Sequence, residues 1–220
     1  MKLIGAKGYN VVCKLSFAAL ALAFLPGSVQ ALPDLMLAVE RAKMTIEYKR
    51  RAFDPSECAV QEGCIFNSGG RKLLLLDAGI QNKGASDLVI GSPYEHPDLF
   101  VWSPCHGHFH MKGLATYRVL TLSGRQVARA YKQGFCLRDD RPKTMNPTPA
   151  KYTCDYQGIS VGWQDTYDKS LDCQWIDISG VPPGAYWLEI TINPNRVFQE
   201  SNYGNNRVLL RINIPYHVYY

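Results

Sequence analysis

No apolar run in the 220-residue sequence reaches the ~20 residues that a membrane-crossing helix needs. Internal repeats are absent, which excludes a solenoid or propeller array. Low-complexity tracts are absent too. No stripe of basic residues could track a phosphate backbone, so nucleic acid is not an expected partner. What the N-terminus does contain is a leader pattern. Lys2, Lys7 and Lys14 precede the apolar run Leu15 to Leu25, which Pro26 and Gly27 break. Val29-Gln30-Ala31 then offers small residues where a signal peptidase reads, so residues 1–31 are expected to be a secretory signal peptide. Cleavage after Ala31 removes three lysines and no acid, and the formal charge falls from +5 to +2. The expected location is secreted or extracytoplasmic, with no membrane association after signal cleavage.

Seven cysteines occur, and Cys13 lies in the leader. The six that remain (Cys58, Cys64, Cys105, Cys136, Cys154 and Cys173) are an even set in an exported chain, so disulfides are expected. Parity does not fix the pairing; six cysteines allow fifteen connectivities.

Beyond the leader, residues 32–57 form a mixed N-terminal arm. Within it Leu35 to Lys49 fits either a short helix or an irregular segment. Residues 58–220 are expected to be the functional domain. Lys72 to Asp77, Asp87 to Gly91, Ala115 to Leu120, Tyr186 to Asn193 and Arg207 to Ile214 are short strand-like runs separated by turn formers. Ser123-Gly124-Arg125 turns the third of them back into Gln126 to Tyr131 as a hairpin. The pattern predicts an all-β, β-sandwich-like domain with long loops, stapled by disulfides. Pro142, Pro147 and Pro149 mark 141–170 as one long loop, a length that usually has a function. Glu200 to Asn206 is expected to be a tight structural turn, and Trp175 a core anchor.

Three of the five histidines stand in Cys105-His106-Gly107-His108-Phe109-His110. On a strand, positions i, i+2 and i+4 share one face, so His106, His108 and His110 are expected to converge on one ion. Three neutral imidazoles suit copper or zinc and leave a coordination position open, as catalytic sites do. His96 and His217 are expected to be surface residues.

Three segments resemble the lysyl oxidase family. Trp102-Ser103-Pro104-Cys105-His106-Gly107-His108-Phe109-His110 is similar to its copper-binding signature. Lys132-Gln133-Gly134-Phe135-Cys136-Leu137 resembles the segment around its cofactor lysine. Asp165-Thr166-Tyr167 through Cys173-Gln174-Trp175-Ile176-Asp177-Ile178 resembles the segment around its cofactor tyrosine and is the most specific of the three. Weaker similarity runs from Cys58 to about Ile214. The resemblance implies a minimal catalytic domain in which His106, His108 and His110 bind copper. Lys132 and Tyr167 would be crosslinked as lysine tyrosylquinone, a cofactor made from the protein itself. The implied activity is a copper-dependent amine oxidase that uses O₂ to convert protein or small-molecule primary amines, peptidyl lysine among them, to aldehydes. Ammonia and hydrogen peroxide are the other products. Asp165, Asp168 and Asp172 are candidates for the base, from nearness in sequence to Tyr167.

The resemblance also implies bonds Cys105–Cys154 and Cys58–Cys64. It leaves Cys136 and Cys173 without their usual partners, Trp163 standing where one would be, so a bond between these two is expected. Two other functions fit parts of the pattern. A non-catalytic copper- or zinc-binding β-sandwich for adhesion or metal handling needs the histidines but neither Lys132 nor Tyr167. A zinc hydrolase needs a base beside the metal, and the histidine segment supplies no carboxylate.

Overall fold

Alternation of apolar and polar residues builds the longest strands of the computed structural model, which describes residues 30–131 and 135–219. Along the chain these residues form β1 (Leu35–Leu37), helix α1 (Val39–Thr45), β2 (Glu47–Phe53), helix α2 (Cys58–Gln61), β3 (Gly69–Leu75), β4 (Ala78–Asn82), β5 (Leu88–Gly91), β6 (Phe100–Ser103) and β7 (His108–Met111). They continue as β8 (Ala115–Leu120), β9 (Gln126–Arg129), β10 (Arg141–Pro142), β11 (Gln157–Ile159), β12 (Trp163–Tyr167), β13 (Trp175–Asp177), β14 (Gly184–Ile192) and β15 (Arg207–Ile214). The class is all-β, as the strand-and-turn pattern predicts. The strands are shared among small sheets in the orders β1-β4-β12-β10, β11-β5, β13-β3-β2, β15-β14-β8-β9 and β6-β7.

The sheet β15-β14-β8-β9 shows the period of two most clearly. Leu210, Ile212 and Ile214 of β15, Leu188, Ile190 and Ile192 of β14, and Tyr117 and Val119 of β8 all point into the main core. On the other face Glu189 stands opposite Arg118 across the ladder. Both Arg118 and Arg207 ion-pair with its carboxylate. Burial raises the cost of the Glu189 charge, but the two guanidinium hydrogen bonds outweigh it and hold the carboxyl below its usual range.

The segment 32–57 is woven into these sheets. Leu35 to Leu37 pair with Ile80 to Asn82, and Glu47 to Phe53 pair with Gly69 to Leu75. Of the two outcomes left open for Leu35 to Lys49, the short helix occurs over Val39–Thr45, while strands rather than irregular chain flank it on both sides. A smaller core gathers Phe53, Ile65, Leu73, Leu75 and Trp175, with the Trp175 ring 5.7 Å from that of Phe53. Trp175 is the anchor the sequence predicts.

Two expectations fail. The stretch 141–170 is not one loop: it contains β10, β11 and β12, and β12 is hydrogen-bonded along β4. Two polar residues of β12, Gln164 and Asp165, are buried and hydrogen-bonded. Gln164 accepts from Gln81 at 2.9 Å and donates to Thr166 at 2.8 Å. The cysteine pairs differ as well. The bonds are Cys58–Cys105, Cys64–Cys173 and Cys136–Cys154. The physical reason is α2, whose turn separates Cys58 from Cys64 and sends each to a different partner. Cys58 lies 5.7 Å (Cα–Cα) from Cys105, Cys64 lies 5.4 Å from Cys173, and Cys136 lies 5.1 Å from Cys154. These separations suit a disulfide.

The Glu200 to Asn206 turn is structural, as expected. The buried Glu200 carboxylate accepts from the Leu35 amide and from the side chains of Asn193 and Asn206, at 2.7 to 2.8 Å. It ties the β14–β15 connection to β1.

Candidate metal and cofactor site

The β6–β7 hairpin presents the histidines, but not as a single row. Only His108 and His110 belong to β7; His106 sits in the turn that joins the strands, where the Gly107 amide donates to the Ser103 carbonyl at 2.9 Å. Gly107 takes φ +65°, a left-handed conformation that favours glycine, and this turns the chain between His106 and His108. The expected one-face strand geometry therefore holds for two of the three. The rings still converge: centroid separations are 5.9 Å for His106–His108, 5.1 Å for His106–His110 and 4.8 Å for His108–His110. The Nε2 atoms of His108 and His110 are 3.1 Å apart. His110 is buried, and the other two rings are partly exposed.

The structure adds two residues that sequence reasoning passed over. Glu62, at the end of α2, brings its carboxylate to 3.3 Å from His106 Nδ1. Ser103, the last residue of β6, donates its hydroxyl to that carboxylate and lies 3.1 Å from the same ring nitrogen. Ligand atoms of Glu62, His106 and His110 all lie within 4.8 Å of one another. Disulfides hold this grouping: Cys58–Cys105 joins the start of α2 to the residue preceding His106, and Cys64–Cys173 fixes the chain just beyond Glu62. Sequence proximity could not have found Glu62, which stands 44 positions from His106. The donors of Glu62, His106 and His110, with His108 beside His110, suit a divalent ion of the copper or zinc type.

Tyr167 ends β12 with its side chain in the main core. Its ring stacks on Phe135 at 5.1 Å, and Phe135 in turn lies 6.1 Å from His110. One phenyl ring thus stands between the tyrosine and the histidines. Leu114, Ala115, Tyr117 and Phe135 enclose a cavity of about 10 Å³ beside it. The hydroxyl is 3.5 Å from the Cys136 carbonyl and interacts with the Asp165 carboxylate, two positions back on the same face of β12. Burial first, and then the Asp165 charge, push the phenol well above its ordinary pKa, so it is neutral. Burial likewise raises the Asp165 carboxyl to about 7, against the pull of Tyr167 and of the Arg138 amide, which donates at 3.2 Å.

Of the three candidate bases, Asp165 alone lies at Tyr167. Asp172 pairs with Arg51 at 3.2 Å, and Asp168 is exposed beside Arg41. Lys132 lies outside the described residues. His217 is exposed and His96 partly so.

A disulfide-stapled all-β chain with a histidine cluster one ring away from a buried tyrosine defines the class of protein by its fold and its site. Within that class this chain belongs to the lysyl oxidase family, whose sequence profile matches residues 33–219. It is 38% identical over 186 residues to lysyl oxidase homolog 2 of Gallus gallus, covering 79% of this chain and 23% of that protein. Identity to the Homo sapiens protein of the same name is 36% over 186 residues, with the same coverage. For the Xenopus tropicalis protein it is 35% over 190 residues, covering 81% and 24%. The chain spans about a quarter of the length of these relatives. The three disulfides are those of a chain folded outside a reducing compartment. Among the described residues no helix is long and apolar enough to cross a membrane.

Proposed function

We propose that the chain is a secreted copper-dependent amine oxidase that converts primary amines, with peptidyl lysine the leading class, to aldehydes, ammonia and hydrogen peroxide at the expense of O₂. The observation that carries this reading is the grouping of His106, His108 and His110 next to Phe135 and the buried Tyr167 in a chain of the lysyl oxidase family. His106, His108 and His110 would hold copper, and Lys132 with Tyr167 would furnish the quinone. Copper supplies the O₂ chemistry that no side chain performs unaided, and the quinone is an electrophile for a primary amine.

The chain's own residues have separable tasks. Phe135, Leu114, Ala115 and Tyr117 pack around the Tyr167 ring and exclude bulk water. Asp165, buried and turned toward the Tyr167 hydroxyl, is the group placed to take a proton from a bound amine. A carboxyl held near 7 by burial suits that work at neutral pH. Residues 1–31 act as the signal peptide in this reading, and residues 58–220 as the catalytic domain, to whose sheets 32–57 adds β1 and β2.

Peroxide release from copper-loaded protein with a lysine-containing peptide or a simple alkylamine tests the reading. Activity is expected in the native chain and is expected to fall at least a thousandfold in Tyr167→Phe, which should still bind copper. His108→Ala should lose both copper and activity. Copper binding without any amine oxidation in the native chain would instead favour the non-catalytic metal-binding sandwich.

A further inference from the structure

Two side chains, those of Ser103 and Glu62, meet the same ring nitrogen of His106. We propose that Ser103 and Glu62 form a relay that fixes the His106 imidazole in the tautomer protonated on Nδ1, leaving its Nε2 lone pair for the metal. The inference deepens the copper-site reading above and rests on it for the identity of the ion.

Ser103 stands opposite His108 in the β6–β7 ladder, so both side chains leave the hairpin on the same face. Its hydroxyl donates to the Glu62 carboxylate. A hydroxyl carries one proton, and an ionised carboxylate can only accept. The Ser103 oxygen therefore meets His106 as an acceptor. It takes the His106 backbone N–H at 3.1 Å and lies 3.1 Å from Nδ1. A hydrogen bond across that second gap requires the proton to be on Nδ1. The other Glu62 oxygen, 3.3 Å from the same nitrogen, is a second acceptor on that side of the ring. In a neutral imidazole the hydrogen bond made by one nitrogen decides which nitrogen is free to bind a metal. Here it leaves Nε2, the same atom through which His108 and His110 face each other at 3.1 Å.

The relay is built to hold still. The Ser103 side chain is buried and that of Glu62 is only 8% exposed, so water competes little for either. The Glu62 amide closes the end of α2 by donating to the Cys58 carbonyl at 2.8 Å, and Cys58 is bonded to Cys105, the neighbour of His106. Ser103 and Glu62 are thus positioning residues. The competing role is a direct bond from the Glu62 carboxylate to the ion, which the 4.8 Å grouping with His106 and His110 would also permit.

Imidazole ¹⁵N–¹H correlation spectra of the metal-free native chain read the tautomer directly. His106 should show a protonated Nδ1 and a bare Nε2. On addition of zinc, a diamagnetic probe, the Nε2 resonance should move while Nδ1 keeps its proton. Ser103→Ala and Glu62→Gln should let the Nε2–H form appear and weaken zinc and copper binding, in chelator competition, by roughly 10–100-fold. Glu62→Asp should recover part of that loss. A native His106 protonated on Nε2 would overturn the proposal, as would unchanged metal affinity in both variants or loss of the Nδ1 proton on loading. The native spectrum needs no variant, so a misfolded mutant does not remove the test. Failure of the native chain to bind copper would count against the copper reading alone, because the tautomer is read without metal.

Discussion

Asp165 shows at the scale of one residue how position sets chemistry. Its carboxyl is raised by burial to about 7 from a usual value of 3.8. The native state therefore holds the proton more tightly than the unfolded chain does. Its stabilising contribution is full below the unfolded pKa and is lost as pH rises through about 7. Asp165→Asn should remove that pH dependence: between pH 4 and pH 7 the native protein should lose up to ~4 kcal/mol that the variant keeps. Urea midpoints across that range measure it, and parallel curves for both proteins would show that Asp165 titrates normally. Other single residues differ in how far the sequence announces them. His106, His108 and His110 are legible because metal chemistry needs repeated imidazoles at short spacing. Glu62 and Ser103 are not, since an isolated Glu or Ser carries no pattern and these two reach His106 only through a turn and a disulfide. Nothing in the sequence selects Asp165 over Asp168 and Asp172; burial does, by leaving the other two with arginine partners at the surface.

Among the elements, strands that alternate or run continuously apolar were readable, and a buried strand with polar residues was not. Ala115 to Leu120 and Arg207 to Ile214 alternate, and both form strands over those bounds. Trp163 to Tyr167 lies between two other strands with most of its side chains buried, so Gln164 and Asp165 obscure the period. Its partners decide its structure, and a sequence window does not contain them. Glu189 is the opposite case, a charge at the centre of a sheet whose alternation remains clear. Its side chain is 1% exposed while Arg118 and Arg207 reach solvent. Glu189→Ala leaves two arginines facing each other across β14 and should cost roughly 1–3 kcal/mol by chemical denaturation. The exposed Glu40–Lys43 pair of α1 serves as the control, and Glu40→Ala should change stability by less than ~0.5 kcal/mol.

Across the whole molecule, three covalent links join segments that the sheets alone leave apart. Cys64–Cys173 closes 109 residues and connects the smaller core to the chain between β12 and β13; Cys136–Cys154 spans 18 residues just after Phe135. The pairing was the least legible feature of the fold. The number of cysteines says that bonds form, while their partners depend on α2 and on the path of the β6–β7 hairpin. Peptide mapping of the unreduced protein should recover Cys58–Cys105, Cys64–Cys173 and Cys136–Cys154. The double variant Cys64→Ser, Cys173→Ser should lose about 2–5 kcal/mol of stability. Recovery of Cys58 bonded to Cys64 would contradict the placement of Glu62 beside His106.

The claim on which the functional account turns is that Tyr167 becomes a quinone joined to Lys132 under the action of copper held by the histidines. Phenylhydrazine labelling of copper-loaded protein in air, followed by peptide mass mapping, tests it most directly. The account predicts a coloured adduct on a single crosslinked species containing Lys132 and Tyr167, absent from Tyr167→Phe and from copper-free protein. Copper-loaded native protein that yields both peptides uncrosslinked and unlabelled would contradict it.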